Sequence, residues 1–159
     1  MNKIMIADDE KAIRKFYEEE LSWEGYDVVT VADPMIIMKI IAEKKPDLVI
    51  LDIKMGHENG LDILQHIRNT YYNLPVILCS AYSHFKYDPR SIVADYFVVK
   101  KADLTELKLR IQMALESNNQ FVDIVAAEEL EGSLYHHELS NGLKDIYSGA
   151  KHPEITQEN

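Results

Sequence analysis

The chain has 159 residues and a net charge of −10, with 47% hydrophobic and 28% charged residues. That length and composition predict one soluble domain with a real core. The charge argues against nucleic acid as a partner, because phosphate backbones are held by clustered Lys and Arg. No apolar run is long enough to cross a bilayer. The opening Met-Asn-Lys-Ile-Met-Ile runs straight into Ala-Asp-Asp-Glu, without the longer apolar region and small-residue cleavage site of a secretory signal. A cytoplasmic protein is expected, and with Cys79 as the single cysteine no internal disulfide can form.

Five short apolar runs alternate with helical patterns. Lys3–Ala7 reads as a strand, followed by a helix over 10–23 whose stripe is Ile13, Phe16, Tyr17 and Leu21. Asp27–Val31 is the second strand, and Asp33-Pro34 starts a helix over 34–44 carrying Ile37, Ile40 and Ile41. Asp47–Leu51 is the third strand, with a helix over 60–71 carrying Leu61, Leu64 and Ile67. Pro75–Ser80 is the fourth, and Cys79 inside it reads as a small buried hydrophobe. The next crossover is weak, since Pro89 leaves only about residues 90–94 free to be helical. Tyr96–Val99 is the fifth strand, and a helix over 103–116 carries Leu104, Leu107, Ile111 and Ala114 behind Asp103 as its cap. The strands are rich in Val, Ile and Leu and nearly continuous, the pattern of a parallel sheet covered on both faces. Strand and helix in repeated alternation predict an α/β, doubly wound, five-stranded sheet.

In such sheets functional groups gather beyond the carboxyl ends of the strands, where strand order reverses. Strand one ends at Asp8-Asp9, strand three at Asp52, strand four at Ser80-Ala81 and strand five at Lys100. Clustered carboxylates repel one another, and a divalent cation relieves that repulsion. Mg²⁺ suits a site of carboxylates, a backbone carbonyl, waters and a phosphate oxygen. A carboxylate can attack phosphorus to give an acyl phosphate, whose spread negative charge asks for a metal, an ammonium and hydrogen-bond donors. Asp52 is the candidate nucleophile, Lys100 the ammonium, and the Ser80 hydroxyl with nearby N–H groups the donors.

Residues 1–117 resemble the receiver domain of two-component response regulators. The matching stretches are Ile-Ala-Asp-Asp-Glu at 6–10, Leu-Val-Ile-Leu-Asp-Ile-Lys-Met at 48–55 with Gly60 following, Pro-Val-Ile-Leu-Cys-Ser-Ala at 75–81, and Tyr-Phe-Val-Val-Lys at 96–100 followed by Asp103-Leu104 and Glu106-Leu107. The resemblance implies a flavodoxin-like sheet of order 2-1-3-4-5. It implies Asp52 as the phosphorylated aspartate, Asp9 as a direct Mg²⁺ ligand beside Asp52, and Asp8 as an outer-shell partner. The backbone carbonyl of Lys54 becomes the third protein ligand. Ser80 becomes the hydroxyl that moves toward the phosphoryl group, Ala81 the small residue beside it, and Phe97 the aromatic switch. Lys54 and Tyr82, each two residues beyond a site residue, are expected to flank the path of the attacking water and tune phosphoryl lifetime.

The chain also departs from the family pattern. Gly56 stands where proline usually follows Met55, and Lys101 stands where proline usually follows the lysine. The family often has a cis peptide at the second place, and without proline that geometry costs roughly 2.5–4 kcal/mol. Phe97 in place of the commoner tyrosine leaves a purely steric signal. Plainer readings stand beside these roles: Asp8-Asp9-Glu10 as an acidic helix cap, Lys100 as a solvated lysine with Lys101 competing for its role, Ser80 bonded to its own backbone, and Phe97 as core.

Residues 118–159 lie outside the resemblance and carry eight acids against Lys144 and Lys151. They are too few and too acidic for a DNA-reading domain. Helical patterns run over 120–131 and 133–147, and the segment from His137 to Leu143 is similar to the phosphoacceptor histidine box of sensor kinases. The expected function is that of a phosphoacceptor switch rather than an enzyme with a separate substrate. Its partners are a histidine kinase or phosphotransfer protein and an unknown downstream protein target, with a second copy of the chain as a further candidate. Two alternatives remain: a receiver fused to part of a phosphotransfer helix at His137, and a small Mg²⁺-dependent phosphohydrolase.

Overall fold

A computed structural model describes residues 1–118. The helical patterns over 120–131 and 133–147, and His137, lie outside the described residues. Five strands form one sheet: β1 (Lys3–Ala7), β2 (Asp27–Val31), β3 (Leu48–Asp52), β6 (Val76–Ser80) and β7 (Tyr96–Val99). A two-stranded antiparallel ribbon, β4 (Lys54–Met55) and β5 (Glu58–Asn59), follows β3. The sheet order is β2-β1-β3-β6-β7 with every pairing parallel. Leaving the ribbon aside, this is the 2-1-3-4-5 order that the resemblance implies.

The strands alternate within their continuous apolar runs. Met5, Ala7, Val49, Leu51, Val76 and Leu78 face one layer, where they pack on α2 (Ile37–Lys44) and α3 (Gly60–Thr70) through Ile37, Ile41, Leu61, Leu64 and Ile67. Ile4, Ile6, Leu48, Ile50, Ile77 and Cys79 face the other, against Tyr17 and Leu21 of α1 (Lys11–Trp23) and Leu107, Ile111 and Ala114 of α4 (105–118). Period-two geometry sorts the side chains, and both faces are apolar because both are covered. Each such aliphatic side chain contributes about 1.5–3 kcal/mol on full burial. No described helix is long and apolar enough to cross a membrane.

Several boundaries differ from the sequence expectation. The third strand runs one residue later, so Asp52 is its last residue. Asp47 instead bridges to β1, its carboxylate accepting from the Lys3 N–H at 2.6 Å. Residues 34–44 divide into a 3₁₀ turn, Pro34–Ile36, capped by the Asp33 side chain, and then α2. The weak crossover forms no α-helix and consists of two 3₁₀ turns, Ser83–Tyr87 and Pro89–Val93. Pro89 cannot donate to a continuing helix, so Asp88 ends one turn and caps the next by accepting from the Arg90 N–H at 2.9 Å.

That short crossover is held by Arg68 at the end of α3. Its guanidinium donates to the carbonyls of Val93 (2.6 Å) and Leu74 (2.5 Å) and to Asp95 Oδ2 (2.5 Å). Asp95 Oδ2 in turn accepts from the Val76 N–H at 2.7 Å. One side chain thus ties α3, the start of β6 and the approach to β7.

Candidate functional site

The chain leaves β1 to one side for β2 and returns past β1 to β3, so the switch point lies between β1 and β3. Asp8 and Asp9 follow β1 directly, and Asp52 ends β3. One carboxylate oxygen from each of these three acids lies within 4.8 Å of the others. Lys100 follows β7, and its N–H donates to the Ser80 carbonyl at 2.9 Å, which fixes where its side chain starts. Its Nζ sits 2.7 Å from Asp8 Oδ2, 3.1 Å from Asp52 Oδ2 and 3.6 Å from Glu10 Oε1. The peptide bond after Lys100 is trans. Lys101 points elsewhere, its Nζ 3.8 Å from Glu106 Oε2.

The acids differ in how their oxygens are used. Asp8 is buried, with Oδ1 accepting from the Glu10 N–H at 2.9 Å and Oδ2 on Lys100. Its own carbonyl accepts from Arg14 Nη1 at 2.7 Å, which anchors the turn into α1. Asp9 is exposed, and its Oδ2 accepts from the Gly56 N–H at 2.8 Å. Asp52 is buried, with the Lys54 N–H near its carboxylate.

Burial pushes the Asp52 carboxyl up to about 6; Lys100 opposes the rise, nearby Asp8 adds to it, and the Lys54 N–H holds it back. Burial favours the neutral amine of Lys100, but bonds to Asp8 and Asp52 outweigh it and hold the ammonium above its ordinary value. Beneath the site, burial pushes the Cys79 thiol up to about 12, so Cys79 is a protonated core residue. Burial likewise raises the Tyr17 phenol above its ordinary value.

This donor set fits a hard divalent cation. Three carboxylates, two buried and one exposed, gather their oxygens at one edge, and Lys100 is bonded to both of the buried ones. Lys100 neutralises only part of the three negative charges.

The remaining candidates take these places. Ser80 is fully buried at the end of β6, and its Oγ accepts from the Tyr82 N–H at 3.1 Å. That bond uses a lone pair and leaves the hydroxyl its own proton to donate. Phe97 is half-buried and packs on the layer containing α2 and α3. The Lys54 ammonium lies 4.1 Å from the centre of the Tyr82 ring. Tyr82 also meets Phe85 edge-on at 6.4 Å.

The structure gives contacts to three residues that the sequence named without assigning them a role in the site. Glu10 approaches Lys100; its place in the Asp-Asp-Glu run was the signal for it. Gly56 donates to Asp9, a contact 47 residues apart that no local pattern announces. Gly60 packs on the backbone of β3: a Cβ there would stand 2.1 Å from the Asp52 carbonyl oxygen and 2.8 Å from Ile53 Cα. Its N–H also donates to the Ile53 carbonyl at 2.7 Å, so the start of α3 is pressed against the backbone of Asp52 and Ile53.

A doubly wound parallel sheet with an acid triad and a lysine at its switch point defines a receiver-type α/β module. The family model for the response regulator receiver domain matches residues 4–112. The chain belongs to that family. It is 36% identical over 120 residues to a probable transcriptional regulator, ycf27, of Guillardia theta, covering 74% of this chain and 47% of that protein. The chain spans about half the length of the curated relatives it matches. Among solved structures it is similar to the response regulator protein TrrA of Thermotoga maritima in complex with Mg²⁺-BeF, with 38% identity, a TM-score of 0.70 and coverage of 72% of this chain and 99% of that one. A complex of the histidine kinase ThkA with TrrA matches at 38% identity and a TM-score of 0.69, with the same coverage.

Proposed function

We propose that this receiver accepts a phosphoryl group on Asp52 from a histidine kinase or phosphotransfer protein and passes the signal to a protein partner. The observation that carries the reading is the position of Lys100 Nζ, 3.1 Å from Asp52 Oδ2 and 2.7 Å from Asp8 Oδ2, beside an acid cluster at the switch point. The Mg²⁺ in the TrrA complex, and that protein's complex with a histidine kinase, support the cation and the partner class by similarity.

Asp9, Asp52 and the Lys54 carbonyl would hold Mg²⁺, with Asp8 outside them on its waters. When bound, the cation offsets the negative charge that develops on the phosphoryl oxygens. An Asp52 carboxylate oxygen attacks phosphorus, the P–N bond of the donor phosphohistidine breaks, and its electron pair stays on the imidazole nitrogen. Lys100 stands on the Asp52 carboxylate and is placed to neutralise one phosphoryl oxygen. The Ser80 hydroxyl, which keeps its own proton, and nearby backbone N–H groups would donate to others. The ionised form of Asp52 is the nucleophile, and without metal it predominates above about pH 6.

Signalling follows if the Ser80 hydroxyl turns toward the phosphoryl group and the Phe97 ring takes the space released behind it, altering the surface around the 3₁₀ turns, β7 and α4. The protein acts on itself rather than on a separate substrate. Beryllofluoride with Mg²⁺, an aspartyl-phosphate mimic, tests the reading by native mass and heteronuclear NMR. A Mg²⁺-dependent change at Ser80 and Phe97 that Asp52→Asn abolishes is expected; an equal change in the variant refutes it.

A further inference from the structure

The ribbon β4–β5 is a two-residue hairpin, with Lys54 paired to Asn59 and Met55 to Glu58 across the turn Gly56-His57. Gly56 takes φ +60°, the sign that the first turn position of a type II′ hairpin requires. Nothing lies within 4 Å of where a Cβ would stand, so the glycine serves backbone conformation rather than close packing. The turn aims the Gly56 N–H at Asp9 Oδ2, 2.8 Å away. This is the one hydrogen bond that the Asp9 carboxylate makes among the described residues. Asp9 is exposed, and without that bond its carboxylate would be free to rotate into solvent.

The other end of the ribbon is fixed to Asp52. Gly60 lets the end of the ribbon press on the Asp52 carbonyl, and its N–H donates to the Ile53 carbonyl at 2.7 Å. The ribbon therefore spans the two acids that the proposed site uses as direct ligands, with its base packed on the backbone of one and its tip bonded to the other.

We infer that the Gly56 N–H is a positioning group of the cation site: it occupies Oδ2 of Asp9 and turns the second carboxylate oxygen toward Asp52. The inference rests on the reading of Asp9 as a cation ligand. Its consequence is that the tip of the ribbon and the cation are coupled: whatever loosens the Gly56 turn weakens metal binding, and a bound metal quiets the turn. Proline, the residue that usually stands at this position in the family, lacks the N–H, so this tie is particular to this chain. Partners that orient a metal ligand from behind typically contribute 10–100-fold in metal affinity.

The test uses the full chain, with Mg²⁺ alone as the probe and heteronuclear NMR as the readout. Gly56→Asn keeps the N–H and tolerates a positive φ, whereas Gly56→Pro removes the donor. The Asn variant is expected to bind Mg²⁺ within about threefold of the parent, and the Pro variant at least about tenfold more weakly. Because proline also alters the turn, Asp9→Ala supplies an independent readout in metal-free protein: the Gly56 amide should exchange about tenfold faster as its acceptor disappears. An unchanged Gly56 exchange rate in Asp9→Ala, or a Pro variant that binds Mg²⁺ like the parent, overturns the inference. If Asp9→Ala itself leaves Mg²⁺ affinity unchanged, the ligand reading of Asp9 fails and takes the inference with it. If Asp9→Ala weakens Mg²⁺ while Gly56→Pro does not, only the role of Gly56 is lost.

Discussion

Replacing Asp52 by asparagine removes a carboxyl that the fold holds in a poor place for charge. Asp52 is 4% exposed, and burial raises its pKa from 3.8 to about 6 against the pull of Lys100. The folded protein thus binds this proton more tightly than the unfolded chain, and stability falls as pH rises from about 4 to about 6. Below that window the acid is protonated in both states and costs nothing; above it the full penalty applies. The change from 3.8 to about 6 corresponds to about 3 kcal/mol above pH 7 and about 1.5 kcal/mol at pH 5. The replacement amide carries no charge, and Lys100 keeps Asp8 at 2.7 Å, so the substitution leaves no orphaned ammonium. Urea unfolding with a chelator present should therefore show the variant more stable than the parent, with a gap about twice as large at pH 7.5 as at pH 5. On the proposed reading, in which Mg²⁺ binds the folded parent through Asp52, added Mg²⁺ should narrow the gap. A gap that does not change with pH, or a variant less stable than the parent at pH 7.5, would refute the reasoning.

Gly60→Ala forces a methyl to within 2.1 Å of the Asp52 carbonyl oxygen, and a loss of about 1–3 kcal/mol is expected by urea unfolding, with weakened Mg²⁺ binding as the start of α3 shifts. Arg68→Ala strips donors from the carbonyls of Val93 and Leu74 and from Asp95, and should cost about 2–4 kcal/mol in the same assay. Lys54→Ala and Tyr82→Ala should each change the rate at which acyl phosphate is lost. Because the ammonium lies 4.1 Å from the ring centre, the double variant should depart from additivity by about two- to fivefold, and strict additivity would show that the pair does not act as a unit.

The sheet was legible because its signal is local and redundant. Runs such as Leu-Val-Ile-Leu at 48–51 and Val-Ile-Leu-Cys at 76–79 need both faces covered, and alternation with amphipathic stripes leaves few ways to cover them. The site was legible for a related reason: the topology gathers strand ends, so Asp8, Asp9, Asp52 and Lys100 could be brought together from their strand positions alone. The choice of Lys100 over Lys101 needed the family register, since both follow β7 and only their contacts distinguish them.

What escaped the sequence depends on contacts made at a distance. The ribbon has two residues in each strand, too short for any period to emerge, and its tie to Asp9 crosses 47 residues. Gly60 was visible as part of the family match, but its reason, backbone crowding against Asp52, carries no compositional mark. The crossover at 83–93 resolved into 3₁₀ turns because Pro89 interrupts the ladder while Arg68, some twenty residues earlier, supplies the bonds that hold the end of the crossover and the approach to β7.

The central claim is that Asp52 takes the phosphoryl group. The most direct test is to incubate the full chain with a small-molecule phosphoryl donor and Mg²⁺, and to locate the modification by intact mass and peptide mapping, with Asp52→Asn in parallel. One phosphoryl group on Asp52, alkali-labile, dependent on Mg²⁺ and missing from the variant, is the expected result. Phosphate on another residue, or equal labelling of the Asp52→Asn variant, would contradict it.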